Sequence, residues 1–301
     1  MGMNFQISDE QLAEINDYFT RFYDYNHWFF RLKTLDIILD NPEKFVNECG
    51  DEELKKENIE DYKLSLKTEI FFTFFHTAEA LFSLMICVHS SKLPWLSMKL
   101  IKFKEICDNI RDTILQEKLS DEDIRFLFFN GIIGKEAERK DIKDSISFIR
   151  QYLKRMGKLF LDNKLYLEYK HGLRLITLNS QFKIIPENFG NQVTILTRKG
   201  TAHVYLDHTL LSKTGKDEQY KVELVTQSFD YQLYLRLAVI NLQLIKNIIE
   251  TRKQKLKLKP GEKMIVGIFD KHNLDELFKE NYAEKFIFRL GRSQVQSNAK
   301  K

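Results

Sequence analysis

The densest cluster of side chains able to do chemistry is Tyr169-Lys170-His171-Gly172-Leu173-Arg174. On a helix Lys170 and Arg174, four apart, share a face, and His171 lies about 100° round from Lys170. Gly172 in a helix interior costs about 1 kcal/mol relative to Ala, so it asks for the close approach of another helix or a ligand. An imidazole that exchanges protons near neutral pH, flanked by fixed cations, is what metal-independent RNA cleavage requires. The ring moves the proton of the 2′-hydroxyl or of the leaving oxygen, and the cations stabilise the phosphorane. The same residues also suit a packed helix with exposed bases.

A second pattern suits a metal. Glu69, His76 and Glu79 fall on one stripe of a helix, and Glu168-x-x-His171 is an i, i+3 pair. Carboxylate-bridged di-metal bundles take Glu from two helices and Glu-x-x-His from two more. Only one Glu-x-x-His is present, so the competing expectation is a structural His76–Glu79 pair, with Glu79 buried in the core. Arg198 and His203 are five positions apart on either side of an expected hairpin turn rather than on a helix. Gly131-Ile132-Ile133-Gly134-Lys135 lacks the phosphate-loop spacing and is followed by Glu136. Gly-x-Gly-x-x-Gly, His-Glu-x-x-His and Gly-x-Ser-x-Gly are also missing from the sequence, so no cofactor and no metal is expected.

Charge is graded along the chain. Residues 1–100 carry 10 basic and 17 acidic side chains and residues 228–301 carry 15 and 8, which makes the C-terminal third the candidate polyanion surface. Its densest part is Arg252, Lys253, Lys255, Lys257 and Lys259, offered here as nucleic-acid contacts. Cations are also favoured at a helix C-terminus, so a solvated helix end explains the same run. Three cysteines, Cys49, Cys87 and Cys107, without Cys-x-x-Cys spacing, fit a reducing cytoplasm rather than a disulfide scaffold or thiolate zinc site. No secretory signal is read at the N-terminus. From Ile70 to Val88, 14 of 19 residues are apolar, about the length of a bilayer span, but Glu79 at its midpoint favours a helix buried in protein.

The elements that must position these groups follow from periodicity. Ser8-Asp9-Glu10-Gln11 is a capping box opening a helix with Leu12, Ile15, Phe19 and Phe22 on one face. Helices are predicted over about 28–39, from Thr68, over 95–117, 121–130 and 144–160, and then from about Asn163 to Leu178. After Pro186 the period changes to two. Residues 193–196 and 202–206 read as a hairpin turning at Arg198-Lys199-Gly200-Thr201, with a second turn at Lys213-Thr214-Gly215-Lys216 and a third strand over 220–226. Ser228 or Asp230 caps a long helix to about Glu250, and after Pro260-Gly261 a strand over 264–269, a short helix over 273–279 and a strand over 285–290 suggest a parallel pair. The fold class is therefore mainly α: a helical bundle (1–180), a small antiparallel β-meander insertion (181–228), a long helix completing the bundle (229–259), and an αβ appendage with a polar tail (260–301).

The apolar helix with Phe75-His76-Thr77-Ala78-Glu79-Ala80-Leu81, followed downstream by a Lys-His-Gly helix, resembles the HEPN superfamily of helical bundles in prokaryotic toxin and antiviral defence systems. The resemblance covers roughly residues 68–180. It implies a homodimer and, in active members, endoribonuclease activity from an Arg-x(4–6)-His motif at a helix N-terminus. His171 matches that histidine; no arginine lies four to six residues before it, and Asn163 and Lys170 are the nearest polar and basic residues. The expectation is a cytoplasmic defence or toxin-type protein, possessing a metal-independent endoribonuclease site at Asn163, Lys170, His171 and Arg174. RNA, a second copy and a partner protein of a defence operon are the implied partners, and no membrane. The alternative is a non-catalytic binding or scaffold protein, and after it the carboxylate–histidine metal site.

Overall fold

The computed structural model describes residues 7–49, 52–53, 55, 58–162, 166, 168, 175–183, 197–214, 217–257, 267–269, 274–279 and 285–290. Within them the fold is mainly α with an antiparallel β-meander. The helices are α1 (Asp9–Phe22), α2 (Asn26–Asp40), α3 (Pro42–Cys49), α4 (Ile59–Ser90), α5 (Pro94–Leu100), α6 (Phe103–Asn109, continued by a π turn Ile110–Ile114), α7 (Asp121–Phe128), α8 (Lys140–Asp162), α9 (Tyr231–Lys257) and α10 (Leu274–Leu277). The strands are β1 (Leu175–Lys183), β2 (Thr197–Thr214), β3 (Asp217–Ser228) and β4 (Lys285–Leu290).

Two compact units divide the chain. The bundle unit holds Met1–Thr34, Phe72–Asp162 and Leu233–Lys279; the sheet unit holds Leu35–Phe71, Asn163–Gln232 and Glu280–Lys301. In the bundle unit α1 opens with the expected box, Ser8 Oγ accepting from Gln11 N and Gln11 Oε1 accepting from Ser8 N. The core is aromatic: Phe75, Phe82 and Phe103 all pack on Phe160 of α8, and Phe74 meets Tyr234 edge-on at 5.2 Å. A Cβ placed on Gly157 would lie 2.9 Å from Ile110 Cγ2, so α8 approaches the π turn as closely as a glycine permits. Three polar side chains buried in this core are tied to one another and to the backbone. The Tyr152 hydroxyl donates to Asn241 Oδ1 (2.8 Å) and Leu237 O (3.0 Å), Asn241 Nδ2 donates to Thr77 Oγ1 (3.3 Å), and Thr77 Oγ1 donates to Phe74 O.

Helix α4 is long and apolar enough to cross a bilayer by length and composition alone, but 78% of its most apolar window is buried inside the protein. Glu79 is not a core residue as expected; it and His76 are half-exposed, because Phe74, Phe75, Ala78 and Leu81 take the fully buried positions.

In the sheet unit β1, β2, β3 and β4 lie side by side in that order, all antiparallel. Three expectations are corrected here. The helix predicted through Leu178 gives way to β1, since Leu175-Ile176-Thr177-Leu178 pairs with Tyr205-Val204-His203-Ala202. Arg198 to Thr201 is no turn but the start of an 18-residue strand, each residue facing one of β1, and the hairpin turns instead at the second predicted site, where Thr214 faces Asp217. The C-terminal strand over 285–290 forms and adds antiparallel to β3, with Val225 facing Ile287; of its expected partner over 264–269, Gly267–Phe269 has no strand structure and 264–266 lie outside the described residues. At the start of α9 it is Asp230 that caps, accepting from Gln232 N at 3.1 Å.

Candidate functional site

The expected catalytic residues Asn163, Lys170, His171 and Arg174 lie outside the described residues, as does Lys259. Lys255 and Lys257 belong to the last turns of α9. Lys253 reaches Glu250 at 3.7 Å. Among the described residues no group of three His, Cys, Asp or Glu side chains could hold a metal ion, so Glu69, His76 and Glu79 do not form one; Glu168 is described, whereas its partner His171 is not.

His203 is no catalytic partner for Arg198. In β2 of the sheet unit it is completely buried, stacked on Phe229 at 4.3 Å and tilted against Phe71 at 4.9 Å, with Nδ1 2.9 Å from Thr177 Oγ1. Burial pulls its pKa down to about 3, so the ring is neutral and sealed from any substrate.

The arrangement that stands out is in the bundle unit, where α4, α7 and α9 bring together His89, Asp123, Phe126 and Arg252. Helix α7 starts with a capping box in which Ser120 Oγ accepts from Asp123 N (3.1 Å) and Asp123 Oδ2 accepts from Ser120 N (2.9 Å) and Ser120 Oγ (2.6 Å). Its apolar face, Ile124, Leu127 and Phe128, goes into the core. Asp123 and Phe126, three residues apart, are left on the outer side, and His89 in the last turn of α4 meets both. Its Nε2 is 2.8 Å from Asp123 Oδ1, and its ring stands edge-on to Phe126 with 6.2 Å between centroids. Burial raises the Asp123 pKa, but the hydrogen bonds from Ser120 and His89 outweigh it and hold the carboxyl below its ordinary range.

Arg252 comes to the same ring from α9, its guanidinium carbon 4.9 Å from the Phe126 centroid. The side chain is half-buried; Nε and Nη2 are shut off from solvent and have no hydrogen-bond partner. Nor does any acidic side chain among the described residues pair with it. Glu250 is engaged with the Tyr25 hydroxyl (3.2 Å) and Lys253, and Asp123 with Ser120 and His89. Burial alone pulls the Arg252 pKa down to about 10, which leaves the group charged at neutral pH. A cation–π contact contributes about 0.5–2 kcal/mol. Taking a charge out of water costs several kcal/mol, so the ring does not replace a counter-ion.

No family model, curated protein or solved structure matches the chain.

Chemically, the cluster is an oriented cation on an aromatic plate beside a histidine held by a carboxylate. It can bind an oxyanion. Sequence reasoning selected Arg252 for its place in a basic run and passed over Phe126, His89 and Asp123. The signal for Phe126 was an aromatic residue on the polar side of a short amphipathic helix.

Proposed function

We propose that this protein binds RNA through the basic end of α9, with Arg252, Lys253, Lys255, Lys257 and Lys259 meeting phosphates. On this reading it is a HEPN-like, cytoplasmic defence or toxin-type protein, which cleaves RNA without a metal using His171, assisted by Lys170, Arg174 and Asn163. The observation that carries the reading is Arg252, a half-buried guanidinium with no carboxylate among the described residues to neutralise it, at the start of the densest basic run in the chain. A polyanion supplies what the fold withholds. Cys49, Cys87 and Cys107 form no disulfide among the described residues, which agrees with a reducing compartment.

The test is cleavage of a labelled single-stranded RNA in excess EDTA. Wild type is expected to cut, and His171→Ala to bind equally but not cut. EDTA-sensitive cutting, or full activity in the alanine variant, contradicts the assignment. A second reading, a non-catalytic binding protein, draws support from the exposed aromatic cluster of α1 and α5, where Tyr18 (55% exposed) meets both Phe22 (60%) and Trp95 (48%). It predicts RNA binding without cleavage for wild type and His171→Ala alike.

A further inference from the structure

Several other arginines of the bundle unit reach carboxylates. Arg111 reaches Asp108, Arg139 reaches Asp141 and Glu136, Arg150 reaches Asp121, and Arg155 reaches Asp275. Arg252 is more deeply set than a surface cation, yet among the described residues it meets only the face of Phe126. Both acids near it in sequence or through the shared ring are already committed: Glu250 to Tyr25 and Lys253, Asp123 to Ser120 and His89. With Nε and Nη2 sealed, Nη1 is the nitrogen through which an incoming oxygen reaches the guanidinium.

We propose that Arg252 is an oxyanion receptor whose counter-ion is a phosphodiester oxygen of bound RNA, received at Nη1 while Phe126 holds the guanidinium plane and His89 buttresses the ring. The proposal rests on the RNA-binding reading above and narrows it from a charged helix end to one defined contact. Planar guanidinium is the right group for this place. It stacks on an aromatic face and keeps directed N–H donors in its own plane, where a lysine offers a mobile point charge. Lys253 and the cations beyond it then add long-range attraction, with little demand on geometry. Free inorganic phosphate presents the same oxyanion chemistry, so the two sources must be separated by experiment.

Full-length wild type, Arg252→Met and Arg252→Lys are compared in two measurements. The first is the melting temperature in sodium phosphate against sodium chloride of equal ionic strength. The second is the Kd for a fluorescent single-stranded RNA at one fixed salt concentration. Arg252→Met, which keeps the apolar stem and removes the desolvated charge, is expected to melt in chloride at or above wild type. Its RNA affinity should fall about tenfold or more, the loss of one charge-assisted hydrogen bond. Arg252→Lys should recover only part of that affinity, and phosphate should raise the melting temperature of wild type but not of the methionine variant. Unchanged RNA affinity in both variants, with binding by wild type intact, overturns the proposal and leaves the RNA reading standing. A wild type that binds no RNA removes that reading and the phosphodiester contact together. Phosphate stabilisation lost in Arg252→Met would then keep the receptor as a free-phosphate site, and its absence overturns that as well.

Discussion

His203 in the sheet unit and Arg252 in the bundle unit are both ionisable groups drawn out of water, and they answer in opposite ways. The imidazole discharges. Set between Phe71 and Phe229 with Thr177 at Nδ1, it has its pKa pulled down to about 3 and is held as a neutral, stacked aromatic ring. A guanidinium has no such escape at physiological pH, since burial brings Arg252 down only to about 10. A histidine can be buried as structure alone, whereas a half-buried arginine with no carboxylate among the described residues carries a cost that its described contacts leave uncompensated. The core of the bundle unit makes the contrast sharper. On the same helix as Arg252, about three turns earlier, the buried Asn241 is tied to Tyr152 and Thr77, so a polar side chain of this helix can be fully buried when partners are supplied.

The largest expected effect follows from His203. The unfolded chain takes up a proton near pH 6.5 and the native imidazole only near 3, so between those values the unfolded state binds more protons. Stability therefore falls as pH drops from about 6.5 toward 3, by as much as about 1.4 kcal/mol per pH unit from this group. Urea unfolding across that range should show a steeper acid loss in wild type than in His203→Gln. Parallel curves would mean that His203 is protonated in the native state, and the contrast with Arg252 would collapse.

Next in size is Tyr152→Phe, which leaves the buried Asn241 carbonyl without its hydroxyl donor and should cost about 1–3 kcal/mol in chemical denaturation. Adding Asn241→Leu should cost less than the two single changes summed, because the orphaned acceptor is then gone. Strict additivity would mean that the bond does not hold the two helices as described. The smallest effect belongs to Lys253→Ala. Its 3.7 Å pair with Glu250 is solvent-screened, and the melting temperature should move by the equivalent of less than about 0.5 kcal/mol. A larger loss would make the basic run a structural device and remove its contrast with the core.

The sequence made elements legible where local chemistry marks them: the capping box at Ser8, the 3.6-residue period of α8 and α9, and the reversal of the chain between Thr214 and Asp217. Where β1 begins was not legible, because Leu173 and Ile176 satisfy a helical stripe while the strand is fixed by pairing with Val204 and His203, far along the chain. For the same reason Arg198-Lys199-Gly200-Thr201 reads as a turn until β1 is laid beside it, and β4 could be drawn correctly at Lys285–Leu290 without its antiparallel neighbour β3. The candidate site shows the same division. Composition singles out Arg252, but its meaning lies in Phe126 and in carboxylates engaged elsewhere, and those are facts of packing between α7 and α9.

The central claim is that the end of α9 meets RNA phosphates, and it is tested most directly by the salt dependence of RNA binding. A labelled single-stranded RNA is titrated from low to physiological salt with wild type and with a variant carrying Gln at positions 252, 253, 255, 257 and 259. Each phosphate contact on a single strand contributes about 0.7 to the log–log slope, so the variant's slope should be shallower by as much as about 3.5, with weaker binding throughout. An unchanged slope would show that these five side chains meet water and not phosphate, and would contradict the account.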